Sequence, residues 1–132
     1  MSLGISYTPV AGSPVYDITF TEFTDNSLPR TYSGDISYGQ SVTGASVLTG
    51  PAYMQKYIWT ISAHLTPSKA QELDAMFRDW DLDRSNGQSA AVGIIDRTFG
   101  SEVNSSALFS TPPSYVYVSP SITLVAFGLS EV

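Results

Sequence analysis

Apolar and polar residues alternate over several stretches of the chain, and the alternation predicts a strand-rich fold. In residues 15–23, Tyr16, Ile18 and Phe20 fall on one side and Asp17, Thr19 and Thr21 on the other, the period of a half-buried strand. Residues 53–65 carry the strongest such pattern. Tyr57, Trp59, Ile61 and Ala63 face one way and Ile58, Thr60 and Ser62 the other, which predicts a central strand. The apolar run at 90–96 reads as a buried strand, and residues 115–118 and 122–129 read as two closing strands around Ser119-Pro120-Ser121.

One segment changes period. Ala70, Leu73, Met76, Phe77 and Trp80 recur at spacings of three and four, giving a single apolar stripe on a helix of about four turns. Thr66 is placed to cap it, Pro67 suits the first helical position where no N–H partner exists, and residues 83–87 with Asn86-Gly87 end it. Trp59, Phe77 and Trp80 therefore read as core, not as a platform for sugars.

The remaining segments are less periodic. Residues 1–14 contain two prolines and predict an extended arm. Residues 25–29 are turn chemistry, 30–38 a weaker strand, and 39–51, small and polar with three glycines, a long loop or ragged hairpin. Residues 97–106 read as loop, and 107–113 end in a rigid Pro112-Pro113 corner. The expected fold is a single mainly β domain over 1–132, an antiparallel sandwich or barrel, with one helix packed on the sheet.

Composition narrows the functional classes. Only 14% of residues are charged against 42% hydrophobic, so Ser, Thr, Gly and Tyr supply a neutral polar exterior of the kind that packs on other proteins. Twelve acidic and six basic residues leave a net charge of −6, which repels a phosphate backbone and argues against direct nucleic-acid binding. With no cysteine there is no disulfide, thiolate metal site or cysteine nucleophile. Hydrophobic runs are short, and the first residues lack the basic head and apolar stretch of a signal peptide, so no membrane partner is expected.

Asp79, Asp81 and Asp83 alternate like the opening of a calcium loop, the one weak metal candidate. The sixth position is Arg84 instead of Gly and the twelfth is Ala90 instead of an acid, so the three read as a solvated rim balanced by Arg78 and Arg84. His64 is the only histidine and reads as a surface residue of its strand. A hydrolase would need it beside Asp35, Asp96 or Glu102, and no motif couples them; the glycines form no phosphate loop. The expectation is a protein that is not an enzyme and takes no cofactor.

The order of elements over residues 53–132 adds a family likeness. An aromatic strand (Tyr57-Ile58-Trp59-Thr60-Ile61), a Thr-Pro capped helix (70–80), an apolar strand, Leu108-Phe109-Ser110-Thr111-Pro112-Pro113 and two closing strands together resemble the minor tail protein M group of long-tailed bacteriophages. More broadly the order is similar to tail-tube and distal-tail β-sandwich domains. The acidic, Ser/Asn/Gly-containing connection at 81–88 departs from that pattern. The resemblance implies a tail-tube-like domain in a homo-oligomeric ring at the tail tip or between tube and baseplate, bound to other tail proteins and located in the virion after synthesis in the host cytoplasm. The alternative is a carbohydrate- or receptor-binding module that stacks exposed Tyr or Trp on sugars and holds a metal at Asp79, Asp81 and Asp83.

Overall fold

The computed structural model describes residues 2–34, 36–50, 54–88 and 90–132. Asp35, Tyr53 at the start of the aromatic stretch, and Pro51 at the end of the predicted loop lie outside the described residues.

Among the described residues nine strands and one α-helix follow in the order β1 (Leu3–Tyr7), β2 (Tyr16–Phe20), β3 (Arg30–Tyr32), β4 (Ser37–Gln40), β5 (Ser46–Thr49), β6 (Tyr57–Leu65), α1 (Pro67–Ser85), β7 (Val92–Asp96), β8 (Val103–Ser119) and β9 (Ile122–Glu131). Seven strands form one sheet in the order β2-β1-β7-β8-β9-β6-β3, and β4 and β5 form a separate two-stranded ribbon. Every pairing is antiparallel. The sheet curls until its two ends meet: just after β2, Phe23 bridges Ala63 of β6, and the His64 N–H donates to the Glu22 carbonyl at 2.8 Å.

Alternation on β6 sorts as its sequence predicts. Trp59, Ile61 and Ala63 are fully buried, while Ile58, Ser62 and His64 are half-buried on the opposite face. β6 pairs with β9 along most of its length, from Ile58–Ser130 to Leu65–Thr123.

α1 is five turns long, one more than its apolar stripe predicts, and in the added turn only Asp83 is buried. Thr66 caps it by accepting from the Lys69 N–H at 3.4 Å, and Pro67 opens it. Ala70, Leu73, Met76 and Trp80 turn onto the sheet. A relay of rings then crosses the interior: Trp80 and Phe77 meet Phe109 edge-on, with centroids 5.0 and 5.1 Å away. Phe109 meets Phe127 at 5.8 Å, and Phe127 meets Phe20 at 5.5 Å. Such tilted pairs add about 0.5–1.5 kcal/mol each beyond the area they bury.

Two sequence expectations change, and a third is decided between its two readings. Residues 3–7 are not an arm: Leu3, Ile5 and Tyr7 are buried, and β1 is hydrogen-bonded to β2 on one side and β7 on the other. Only the proline-containing stretch that follows leaves the sheet. Of the two readings of 39–51, loop or ragged hairpin, the hairpin holds: β4 and β5 pair antiparallel, with a turn at Ser41–Gly44. Pro112-Pro113 makes no corner. β8 runs straight through it as a seventeen-residue strand, absorbing the prolines at register shifts between Phe109 and Thr111 and between Thr111 and Ser114. Proline has no N–H to give a ladder, so a bulge beside an open edge is where a strand tolerates it. Gly128 opposite makes room, since a Cβ there would lie 2.9 Å from Ser110 Oγ.

Candidate assembly surfaces

The carboxylates singled out by their spacing do not converge. Asp79 and Asp83, one helical turn apart, share the face of α1 that meets β1 and β2. Asp83 is buried and accepts from the Tyr7 hydroxyl and, at 3.1 Å, from the Val10 N–H. Asp79 accepts from the Tyr16 hydroxyl at 2.5 Å. Asp81 points elsewhere, to Arg84 at 2.6 Å. Two of the three are thus not a solvated rim but clamps fastening the helix to the first two strands. Among the described residues no group of three or more His, Asp or Glu is placed to hold a metal ion.

Burial and then the Asp83 carboxylate raise the Tyr7 phenol far above its ordinary value. Burial and then the hydrogen bond to Asp79 push the Tyr16 phenol up to about 12. Both tyrosines stay protonated and donating, Tyr16 to Asp79 and Tyr7 to an Asp83 that also accepts from the Val10 N–H.

Asp96 is fully buried at the end of β7. It accepts from Arg30 Nη1 at 2.8 Å, Trp59 Nε1 at 3.0 Å, the Thr98 N–H at 2.9 Å and the Thr98 hydroxyl. Burial opposes its charge, but Thr98, Trp59 and Arg30 together outweigh it and hold the carboxyl below the usual range. The Arg30 guanidinium lies between the rings of Tyr57 and Phe99, 4.7 Å from each centroid. Glu102 is separate, paired with Arg97 at 3.0 Å and with Asn104. His64 sits opposite Leu124 on β9, and no hydrogen bond joins it to Asp96 or Glu102 among the described residues. Among the described residues His64, Asp96 and Glu102 are not joined by any hydrogen bond or ion pair, and both carboxylates serve structural contacts.

What the fold leaves exposed is of a different kind. β8 has no charged residue along its seventeen positions, and beyond Ala107 only β9 pairs with it among the described residues. The outer part of the β8–β9 hairpin exposes Tyr115, Val116, Tyr117, Val118 and Ile122. Residues 36–50, which hold the β4–β5 ribbon, contain no Asp, Glu, Lys or Arg and expose Ile36, Val42, Val47 and Leu48. Large side chains exposed together and without charge mark surfaces that other molecules cover. Between helix and hairpin lies an open groove of about 490 Å³ lined by Asp74, Arg78, Tyr115 and Thr123 among others.

Sequence reasoning missed the two Tyr–Asp clamps and the buried Asp96 cluster. The spacing of Asp79 and Asp83 on one helical face was available as a signal, whereas nothing local links Arg30 or Trp59 to Asp96.

Comparison with solved structures finds a similar fold over nearly the whole chain. The chain is similar to a chain from the tail of an empty GTA particle, a helical refinement with C6 symmetry, with a TM-score of 0.57 at 12% identity. The match covers 98% of this chain and 90% of that one. The protein has the fold of a tail protein from a phage-like particle. No family model matches the sequence, and no curated protein matches it.

Proposed function

We propose that the protein is a structural component of a phage-type tail, a minor tail or tip subunit that forms a ring by self-association and links the tail tube to the tip. It acts in the virion, bound to copies of itself and to other tail proteins, and catalyses no reaction. The observation carrying this reading is the fold likeness, which extends over nearly the whole of both chains and whose counterpart belongs to a tail with C6 symmetry. Two features support it. The long strand and ribbon expose apolar and aromatic side chains free of charge, and carboxylates that might have served chemistry are bound up in clamps. A net charge of −6 also suits a channel through which nucleic acid passes without sticking.

Mass photometry of the purified chain across the micromolar range, with and without purified tails, tests the proposal. The expected result is a discrete ring-sized oligomer that is also recovered in particles. A chain that stays monomeric alone and never joins a tail overturns it.

A second reading, a glycan- or receptor-binding module, draws on the exposed rings of Tyr32 and Tyr117. Its metal site loses support from the separation of Asp79, Asp81 and Asp83. Glycan-array binding that disappears in Tyr117→Ala would favour it over the ring.

A further inference from the structure

The edge of β8 and the β4–β5 ribbon are two unfinished pieces of sheet. β7 covers β8 only from Val103 to Ala107; from there to Ser119 the strand has β9 on one side and no strand on the other among the described residues. Pro112-Pro113 interrupts the first part of this edge by removing two N–H donors, but from Ser114 to Ser119 every residue again carries one. The ribbon is the converse case. No third strand joins it among the described residues, and Val47 and Leu48 of β5 are 41% and 72% exposed. An isolated two-stranded hairpin is marginal in water, so this ribbon needs a further surface to complete it.

We infer that in the assembled ring β5 of one copy adds as an extra strand to the open β8 edge, at 114–119, of its neighbour. The inference rests on the ring reading above and names the contact that would build it. Charge selects the occupant. Copies that each carry −6 repel, and 36–50 and 103–119 are long stretches in which neither partner presents any charge. Composition fits as well: β5 is Ser-Val-Leu-Thr and the edge is Ser-Tyr-Val-Tyr-Val-Ser, β-branched and aromatic residues that pair well across strands. Symmetry excludes the simplest rival. Two β8 edges paired with each other would close a two-fold dimer and leave both ribbons uncovered, whereas ribbon on edge joins two different surfaces, as a cyclic ring requires.

The chain contains no cysteine, so the contact can be read by cross-linking. Leu48→Cys and Val116→Cys variants, mixed and treated with a short bismaleimide, are expected to give cross-linked dimers that neither variant gives alone. The double variant is expected to give a ladder that stops at ring size. In parallel, Val47→Asp and Val116→Asp are each expected to weaken self-association by about tenfold or more, the cost of burying a lone charge, with thermal stability unchanged. Rings that form with links only between like variants, or with none, overturn this pairing and leave the ring reading intact. A chain that remains monomeric with and without tails overturns both.

Discussion

The body of the protein and its projections use the same residue types to opposite ends. In the body, Ile18, Ile61, Val92 and Trp59 are buried, and the tyrosines Tyr7 and Tyr16 turn their hydroxyls to carboxylates on α1. On the outer β8–β9 hairpin and the ribbon, Val116, Val118, Leu48 and Tyr117 are each more than half exposed. Period-two alternation holds at 115–118 on the hairpin as it does in the body, so hydrophobic patterning identifies strands without saying whether the chain itself covers them. Coverage is decided by what lies opposite. The body has a helix and a curled sheet to close over it; the projections extend past both.

If that contrast is sound, substitutions in the two regions differ in kind. The largest effect is expected at Asp96→Ala, which leaves the Arg30 guanidinium and the Trp59 N–H without their buried acceptor. Loss of one partner from a buried pair costs about 3–5 kcal/mol, to be read from urea denaturation. Leu73→Ala, on the fully buried face of α1, is expected to cost about 3 kcal/mol by the same measurement. Tyr7→Phe removes a donor from buried Asp83 but leaves the Val10 N–H, and about 1–2 kcal/mol is expected.

A pH titration separates the regions without a large change in fold. The Tyr16 phenol titrates near 12 in the folded protein, above the ordinary tyrosine value of about 10 of the unfolded chain. The unfolded state therefore releases its proton first. The stabilisation is whole below about pH 10 and is lost as pH rises through 12. Thermal melts between pH 8 and 12 check this, and Tyr16→Phe is expected to show a shallower alkaline decline. The smallest effect belongs to Tyr117→Ser on the hairpin. Its side chain is 74% exposed, and the isolated chain is expected to lose less than about 0.5 kcal/mol. A large loss there would erase the distinction between body and projection.

Much of the body was legible in sequence because local rules and tertiary packing agree there. The faces of β6, the Thr66 cap and the stripe from Ala70 to Trp80 follow from period and capping chemistry alone. Where local and long-range demands diverge, the local reading fails. Leu3, Ile5 and Tyr7 alternate, yet the prolines and glycine that follow suggested an arm; β7, far along the chain, supplies the partner that makes them a strand. Pro112-Pro113 reads locally as a corner, but β9 holds β8 in one line through bulges. Asp79, Asp81 and Asp83 match the start of a metal motif, while helical geometry sends Asp81 to a different side from the other two. The exposed, uncharged hairpin and ribbon were legible only as composition, a neutral and aromatic exterior, because an edge is defined by the strand that is absent from it.

The position of β1 also governs the order in which the molecule can come together. Leu3 pairs with Phe20 nearby and with Asp96 on the other side, so β1 waits for the much later β7 before its second ladder forms. Contacts this distant in sequence close slowly. Until β7 arrives, the early β1–β2 hairpin holds Ile5, Ile18 and Phe20 in water, and a nascent chain in that state is the one most in need of a chaperone's shelter.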